Sequence, residues 1–135
     1  MSDILVKTKK SDSLVDFLNL HNFVVERVDE RIFEVIRGDE LPVFLYLDDD
    51  TLHFEVDLGP IGELKSEAFL YQLLDSNTQI QPVSFAINSS NPDDVRLVLV
   101  ESRITGDLSS DELLSVFDAL ELAADQAEKI LKSYI

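Results

Sequence analysis

His53 is the residue whose type and setting come closest to supporting catalysis. It shares one side of an alternating run with Thr51 and Glu55, and a carboxylate at that spacing can assist a histidine that acts as a general base. No nucleophile accompanies it in a recognisable motif, because none of the serines stands in a G-x-S-x-G turn. We therefore expect no catalytic residue and no enzyme, and catalysis through His53 is the alternative.

Asp48, Asp49 and Asp50 are the residues that most resemble a metal site, because calcium prefers hard oxygen ligands. Calcium loops of the EF-hand type alternate their ligands and place a glycine among them, whereas these aspartates are consecutive. A solvated turn between two strands explains them better. The chain has no cysteine and only two histidines, so we also expect no thiolate or histidine-rich metal site and no cofactor.

The size of the chain fits one compact domain. It has 135 residues, of which 45% are hydrophobic, and a chain of this length can bury about two thirds of its unfolded surface. We expect residues 1–10 to form a flexible arm or an added edge strand, and residues 11–135 to form the domain. The apolar runs are too short for a signal peptide or a membrane span. Together with the lack of cysteine, this favours the cytoplasm.

The strongest compositional feature is a formal net charge of −16 at pH 7. Such a surface repels phosphates and anionic lipid headgroups and attracts basic partners. We therefore expect no binding to nucleic acid and no membrane insertion. Two other interpretations stay open: the charge serves only solubility, or the acidic surface imitates nucleic acid and occupies the basic groove of a DNA-binding protein.

Residues 41–58 predict the hairpin on which the rest of the fold depends. In the second half of this segment, Leu52, Phe54, Val56 and Leu58 alternate with polar residues, which is typical of a strand with one buried face. The first half alternates in the same way and is expected to bury Val43, Leu45 and Leu47 on the same face as the second half.

The remaining patterns predict three helices and four further strands. Residues 11–22, 67–77 and the stretch from Ser109 to Tyr134 have the spacing of amphipathic helices. Ser66 and Ser109 fit the N-caps of the second and third helix. Residues 23–28, 31–37, 80–87 and 95–102 are rich in β-formers and bounded by turn residues. The sequence thus predicts an α+β fold, an antiparallel sheet with helices packed on one face, in the order α-β-β-β-β-α-β-β-α.

Phe44 and Tyr46 make the second face of the first hairpin strand apolar, so this face should meet something. Three interpretations stay open: a segment of a partner protein, a second copy of the chain, or a covering helix. For the dimer, the next residues expected at the interface are Phe69, Leu70 and Leu73 of the second helix.

The order of elements resembles the type III secretion chaperone-like fold. Three segments carry the resemblance, being similar to the second helix, the closing strands and the final helix of that fold: FLYQLLDSN, VSFAINSSNPDDVRLVLVESRI and LSSDELLSVFDALELAADQAEKI. Within that fold the chain is most similar to the YjfI-like family of bacterial proteins, whose function is uncharacterised. The extra hairpin at residues 23–37 departs from the usual chaperone layout.

The resemblance implies a non-enzymatic homodimer that holds a segment of another protein, as secretion chaperones do. Genes of YjfI-like proteins are often found near those of PspA-like membrane-stress proteins, so the resemblance also implies a coiled-coil partner of that kind. On this basis we predict a chaperone-like protein-binding module without a cofactor.

Overall fold

The computed structural model describes residues 5–6, 11–62, 66–105 and 108–134. The helices are α1 (Ser11–Leu20), α2 (Glu67–Ser76) and α3 (Ser110–Lys132). The strands are β1 (Leu5–Val6), β2 (Val24–Arg27), β3 (Ile32–Ile36), β4 (Val43–Leu47), β5 (Thr51–Pro60), β6 (Ser84–Asn88), β7 (Arg96–Ile104) and β8 (Leu108–Ser109).

Six of these strands form one antiparallel sheet in the order β2-β3-β4-β5-β7-β6. Strands β2 to β5 follow one another as a meander, and β7 lies between β5 and β6. The predicted α+β class, the antiparallel sheet and the order of the main elements are confirmed. Strand β7 is interior in this sheet, since it has a partner on each side.

One face of the sheet forms the core with the helices. The alternation predicted for the central hairpin is confirmed, because Leu45, Leu52 and Phe54 are fully or almost fully buried. The ring of Phe117 on α3 lies 5.6 Å from that of Phe54, edge to face, and 4.7 Å from that of Phe23. Apolar residues of α1 and α2 join the same core: Leu14, Phe17, Leu18, Phe69 and Leu73.

Local sequence signals set the ends of the helices. The side-chain oxygen of Ser66 accepts a hydrogen bond from the Phe69 amide at 3.2 Å, and that of Ser109 accepts one from the Glu112 amide at 3.1 Å. Both predicted N-caps are therefore present. Helix α1 ends at Leu20, two residues earlier than predicted, because Asn22 adopts a positive φ of 67°, a common conformation just past a helix end.

The prediction that residues 80–83 belong to a strand is wrong, and β6 begins at Ser84. The amide of Val83 donates to the carbonyl of Ile80 at 3.1 Å in a turn, and Pro82 has no amide proton to offer a sheet. The side chain of Asn77 instead accepts a hydrogen bond from the Phe85 amide at 2.7 Å. The start of β6 is therefore fixed by the residue that ends α2.

Two strand features extend the predicted pattern. Strand β5 continues to Pro60 past an irregularity in its pairing between Asp57 and Gly59, where the glycine has a φ of 119° that other residues rarely adopt. Separately, β1 pairs with β8, so residues 5–6 are strand outside the main sheet. The rest of the arm predicted at residues 1–10 lies outside the described residues.

Replacing Phe117 by alanine should lower the free energy of unfolding by about 3–5 kcal/mol, because it removes a buried ring that contacts two others. Chemical denaturation followed by circular dichroism measures this. Leu122 on the same helix is 71% exposed, so its alanine variant is the matched control and should change the free energy by less than about 0.5 kcal/mol. Equal losses in both variants would contradict the described packing of α3.

Candidate functional site

The sheet face opposite the helices, here called the outer face, has a shallow depression of about 460 Å³. Strand residues line it, and the side chains that belong to the outer face are Ile32, Phe44, Tyr46, His53, Glu55, Val100 and Ser102. Within the described part of the chain, no helix residue contributes to this lining. The depression is therefore a feature of the sheet alone.

Phe44 and Tyr46 lie in this depression. Phe44 is partly buried and Tyr46 is 44% exposed. The interpretation in which a helix covers both residues does not fit this arrangement. Phe44 stands in register between Glu34 on β3 and Glu55 on β5, so the apolar centre of the outer face is flanked by carboxylates.

Phe69 and Leu73 are not part of an available surface. They are 0% and 5% exposed and pack in the core, and Leu70 is partly buried against it. The interface predicted for α2 is therefore incorrect for Phe69 and Leu73. The apolar side chains that helix α2 exposes are instead Tyr71 and Leu74, by 75% and 70%.

His53 makes contacts that differ from those expected. Its Nδ1 lies 2.9 Å from the hydroxyl oxygen of Ser102, and its ring stacks on that of Tyr46 with centroids 5.8 Å apart. A serine hydroxyl beside a histidine could act as a nucleophile with the histidine as its base. Such a pair also needs hydrogen-bond donors that stabilise the oxyanion formed in the reaction. The amide of Ser102 donates to the side chain of Glu101 at 2.8 Å, so this amide is already engaged.

Asp48, Asp49 and Asp50 follow β4 and lead into β5, as the turn interpretation predicts. The Asp48 side chain accepts a hydrogen bond from the Asp49 amide at 2.8 Å, and Asp49 pairs with Arg31 at 3.2 Å. Among residues 5–6, 11–62, 66–105 and 108–134, no group of three or more histidines and acids is placed to hold a metal ion. The aspartates act here as turn and ion-pair residues.

A second concave surface, of about 650 Å³, lies on the helical side of the sheet. We call it the acidic groove. Its apolar lining comes from Leu41, Val43, Val56, Leu58, Phe117, Leu120, Ala124, Ala127 and Leu131, and its charged residues are Asp39, Glu40, Glu121, Asp125, Glu128 and Lys132. Five carboxylates and one lysine thus surround an apolar floor.

The groove exists because the sheet-facing side chains of α3 become smaller after Leu120. Phe117 and Leu120 fill the space next to the sheet, whereas Ala124 and Ala127 present only methyl groups one and two turns later. Since protein interiors are otherwise close-packed, a run of small side chains leaves room between helix and sheet. Glu121, Asp125 and Glu128 recur at helical spacing. This pattern in the sequence could have indicated an acidic side of α3, and our predictions did not include it.

Arg37 holds one wall of the groove in place. Its guanidinium contacts Glu40 at 3.2 Å, Asp118 at 3.1 Å and Glu121 at 3.3 Å, and so joins the β3–β4 connection to α3. Burial raises the pKa of Glu40, a hydrogen bond with Glu121 raises it further, and Arg37 opposes both effects. Negative charge is therefore crowded at this wall, even with a cation present.

No family model matches this chain, and no curated protein matches its sequence. Solved structures do match. A chain of the heterodimeric ExoU–SpcU complex from the type III secretion system of Pseudomonas aeruginosa superposes with a TM-score of 0.69 at 18% identity, covering 85% of this chain and 94% of that one. The chain has a secretion chaperone-like fold. YbjN from E. coli, a candidate transcription regulator, matches with a TM-score of 0.59 at 13% identity, covering 96% of this chain and 94% of that one.

These superpositions show the fold alone, and the finer resemblance to YjfI-like proteins stays a prediction. In the described helices, no segment is both long and apolar enough to cross a membrane.

Arg96 closes one end of the outer face. It donates to the two oxygens of Asp57 at 2.8 and 3.1 Å and to Asp94 at 3.2 Å. The hydrogen bond from Arg96 lowers the pKa of Asp57 below its usual value of 3.8. Because the native state then favours the ionised carboxylate, the pair stabilises the fold at neutral pH, and this contribution is lost as the pH falls through the lowered pKa.

Replacing Asp57 by asparagine should therefore reduce stability at pH 7 by less than about 1 kcal/mol, a small loss because both side chains are partly exposed. The difference from the parent protein should shrink as the pH falls below the usual Asp value of 3.8. Urea denaturation at a series of pH values measures it. A difference that stays constant from neutral to strongly acidic pH would rule out this pair as its source.

Proposed function

We propose that this chain is a non-enzymatic, chaperone-like module that holds a segment of another protein on its outer face. The observation that carries the proposal is the partly exposed pair Phe44 and Tyr46 in a depression lined by strands. Apolar side chains exposed together on one face are typical of interaction sites, and aromatic residues are enriched in interfaces.

The charges around Phe44 indicate the chemistry of the segment. Glu34 and Glu55 flank Phe44 on the neighbouring strands, and Glu26 lies next to Glu34 in the register. An apolar side chain with basic neighbours would complement this pattern, and the net charge of −16 would steer it toward the protein. The same carboxylates oppose the docking of a second acidic copy on this face.

The comparison with the ExoU–SpcU structure supports the proposal, since a chain of the same fold forms a complex with a different protein there. From the resemblance to YjfI-like proteins we propose a coiled-coil, PspA-like protein as partner, and from the resemblance to secretion chaperones we propose a homodimer. The composition of the chain is the basis for proposing a cytoplasmic location. Because Phe69 and Leu73 are buried, a dimer formed through α2 would use Tyr71 and Leu74.

We propose no catalytic role for His53. Its partner Ser102 stands within the β5–β7 pairing and not on a strained turn, and the backbone amide of Ser102 is engaged. The contacts of His53 with Ser102 and Tyr46 instead order the polar end of the depression.

Replacing Tyr46 by glutamate should abolish capture of the partner without unfolding the protein, because the side chain is 44% exposed. The tagged protein is used to capture binders from cells of its source, and mass spectrometry compares the parent with the variant. The control is Leu122→Glu, which adds the same charge at a site that is 71% exposed on α3. Circular dichroism confirms folding.

Three results separate the interpretations. Loss of specific binders in the Tyr46 variant alone supports the proposal. Equal capture by the parent and the Tyr46 variant would falsify it. Light scattering of each protein measures its mass, and a parent dimer that becomes a monomer in the Tyr46 variant would show that a second copy, and no other protein, occupies the outer face.

A further inference from the structure

The acidic groove needs an explanation of its own, because the outer face lies on the other side of the sheet. Its apolar floor is open to solvent at Leu41, which is 48% exposed, and at Leu58 and Ala124, which are partly buried. Lys132, the one cation in its lining, is already paired with Glu128 at 3.3 Å. Glu40 and Glu121 are likewise paired with Arg37, so two cations oppose five carboxylates and a net negative potential remains above an apolar surface.

The dimensions of the groove fit a helix. Its lining runs along α3 from Phe117 to Lys132, which is about 22 Å at 1.5 Å per residue. A helix of about 15 residues has this length and presents apolar side chains at i, i+3, i+4 and i+7. Helices that lie in apolar grooves are a common mode of peptide recognition.

The sheet excludes an extended segment in this place. The strands that border the groove are β4 and β5, and each already has a neighbour on both sides, β3 and β5 for β4 and β4 and β7 for β5. Among the strands that the structure describes, none turns a free edge to the groove, so an added strand would have no backbone partners there. A helix satisfies its own backbone hydrogen bonds and needs only side-chain contacts.

We propose that the acidic groove binds an amphipathic helix whose apolar stripe is bordered by lysine or arginine. The apolar stripe would pack on the floor between Leu41, Leu58 and Leu131, and the basic side chains would reach Asp39 on one wall and Asp125 on the other. This inference does not depend on the outer face, and the protein would thus have two separate binding surfaces.

The experiment uses fluorescence anisotropy with a labelled synthetic peptide of about 18 residues, built from leucine and lysine with the leucines at helical spacing. We expect binding that weakens as salt is added. A peptide with glutamate in place of lysine should not bind, and a peptide of the same composition with scrambled order should bind at least about tenfold more weakly, because it has no apolar stripe.

The decisive variant is Asp39→Lys with Asp125→Lys, which reverses one exposed charge on each wall. Its matched control is Asp16→Lys with Asp75→Lys, which changes the net charge equally at exposed positions of α1 and α2. We expect the groove variant to bind the peptide about tenfold more weakly or worse, and the control to change affinity by less than about threefold. Leu41→Ser should also weaken binding, since it removes apolar contact at a site that is 48% exposed.

Three results would overturn the inference. If both double variants weaken binding equally, the peptide senses only the overall charge of the protein. If neither does, it binds elsewhere. The Tyr46→Glu variant should bind the peptide as the parent does, so loss of binding there would assign the peptide to the outer face and leave the groove without a ligand. Circular dichroism of every variant shows that it is folded.

Discussion

The packing of α3 against one face of the sheet is the constraint on which the rest of the structure depends. Phe117 fixes it, because its ring lies between those of Phe23 and Phe54 and so joins the helix to the sheet and to the segment after α1. A helix held at this point must pass over the adjoining strands, and its side chains then decide how closely it approaches them. Large side chains close the interface, and the alanines beyond Leu120 leave the groove open.

The same arrangement explains why the two surfaces differ. The outer face is a nearly flat layer in which apolar and acidic side chains mix in register, with Phe44 between two glutamates. The acidic groove separates these properties, because its apolar residues lie at the bottom and its carboxylates lie at the walls. A flat surface of intermixed apolar and acidic residues suits a short segment of a partner. A groove with an apolar floor and acidic walls suits an amphipathic segment.

Much of the fold could be predicted because period-two and helical patterns depend on neighbouring residues alone. The buried face of β5 and the caps at Ser66 and Ser109 are examples. The start of β6 was missed because the strand-like residues 80–83 form a turn, and β6 begins where the Phe85 amide donates a hydrogen bond to the side chain of Asn77, the residue after α2. Such contacts join residues that local patterns do not connect, and so does the pairing of β1 with β8.

The site was predictable to a smaller degree for a similar reason. Phe44 and Tyr46 could be placed on the second face of a strand, but only the assembled sheet shows that the described residues lining the depression on that face all come from strands. The helix periodicity of α2 did not distinguish Phe69 in the core from Tyr71 in solvent, because apolar residues occupy both sides of the helix. The acidic groove depends on the β3–β4 connection meeting α3 through Arg37, which no local pattern describes.

Strand β4 contributes to both surfaces at once, since Val43 lines the acidic groove and the next residue, Phe44, lies on the outer face. Side chains alternate along a strand, so inserting or deleting a single residue within β4 would move every later side chain of the strand to the opposite face. Both surfaces would then be lost together, with polar and apolar groups exchanged across the sheet. Length changes in this protein should accordingly be tolerated better in the turn between β4 and β5 than within the strand itself.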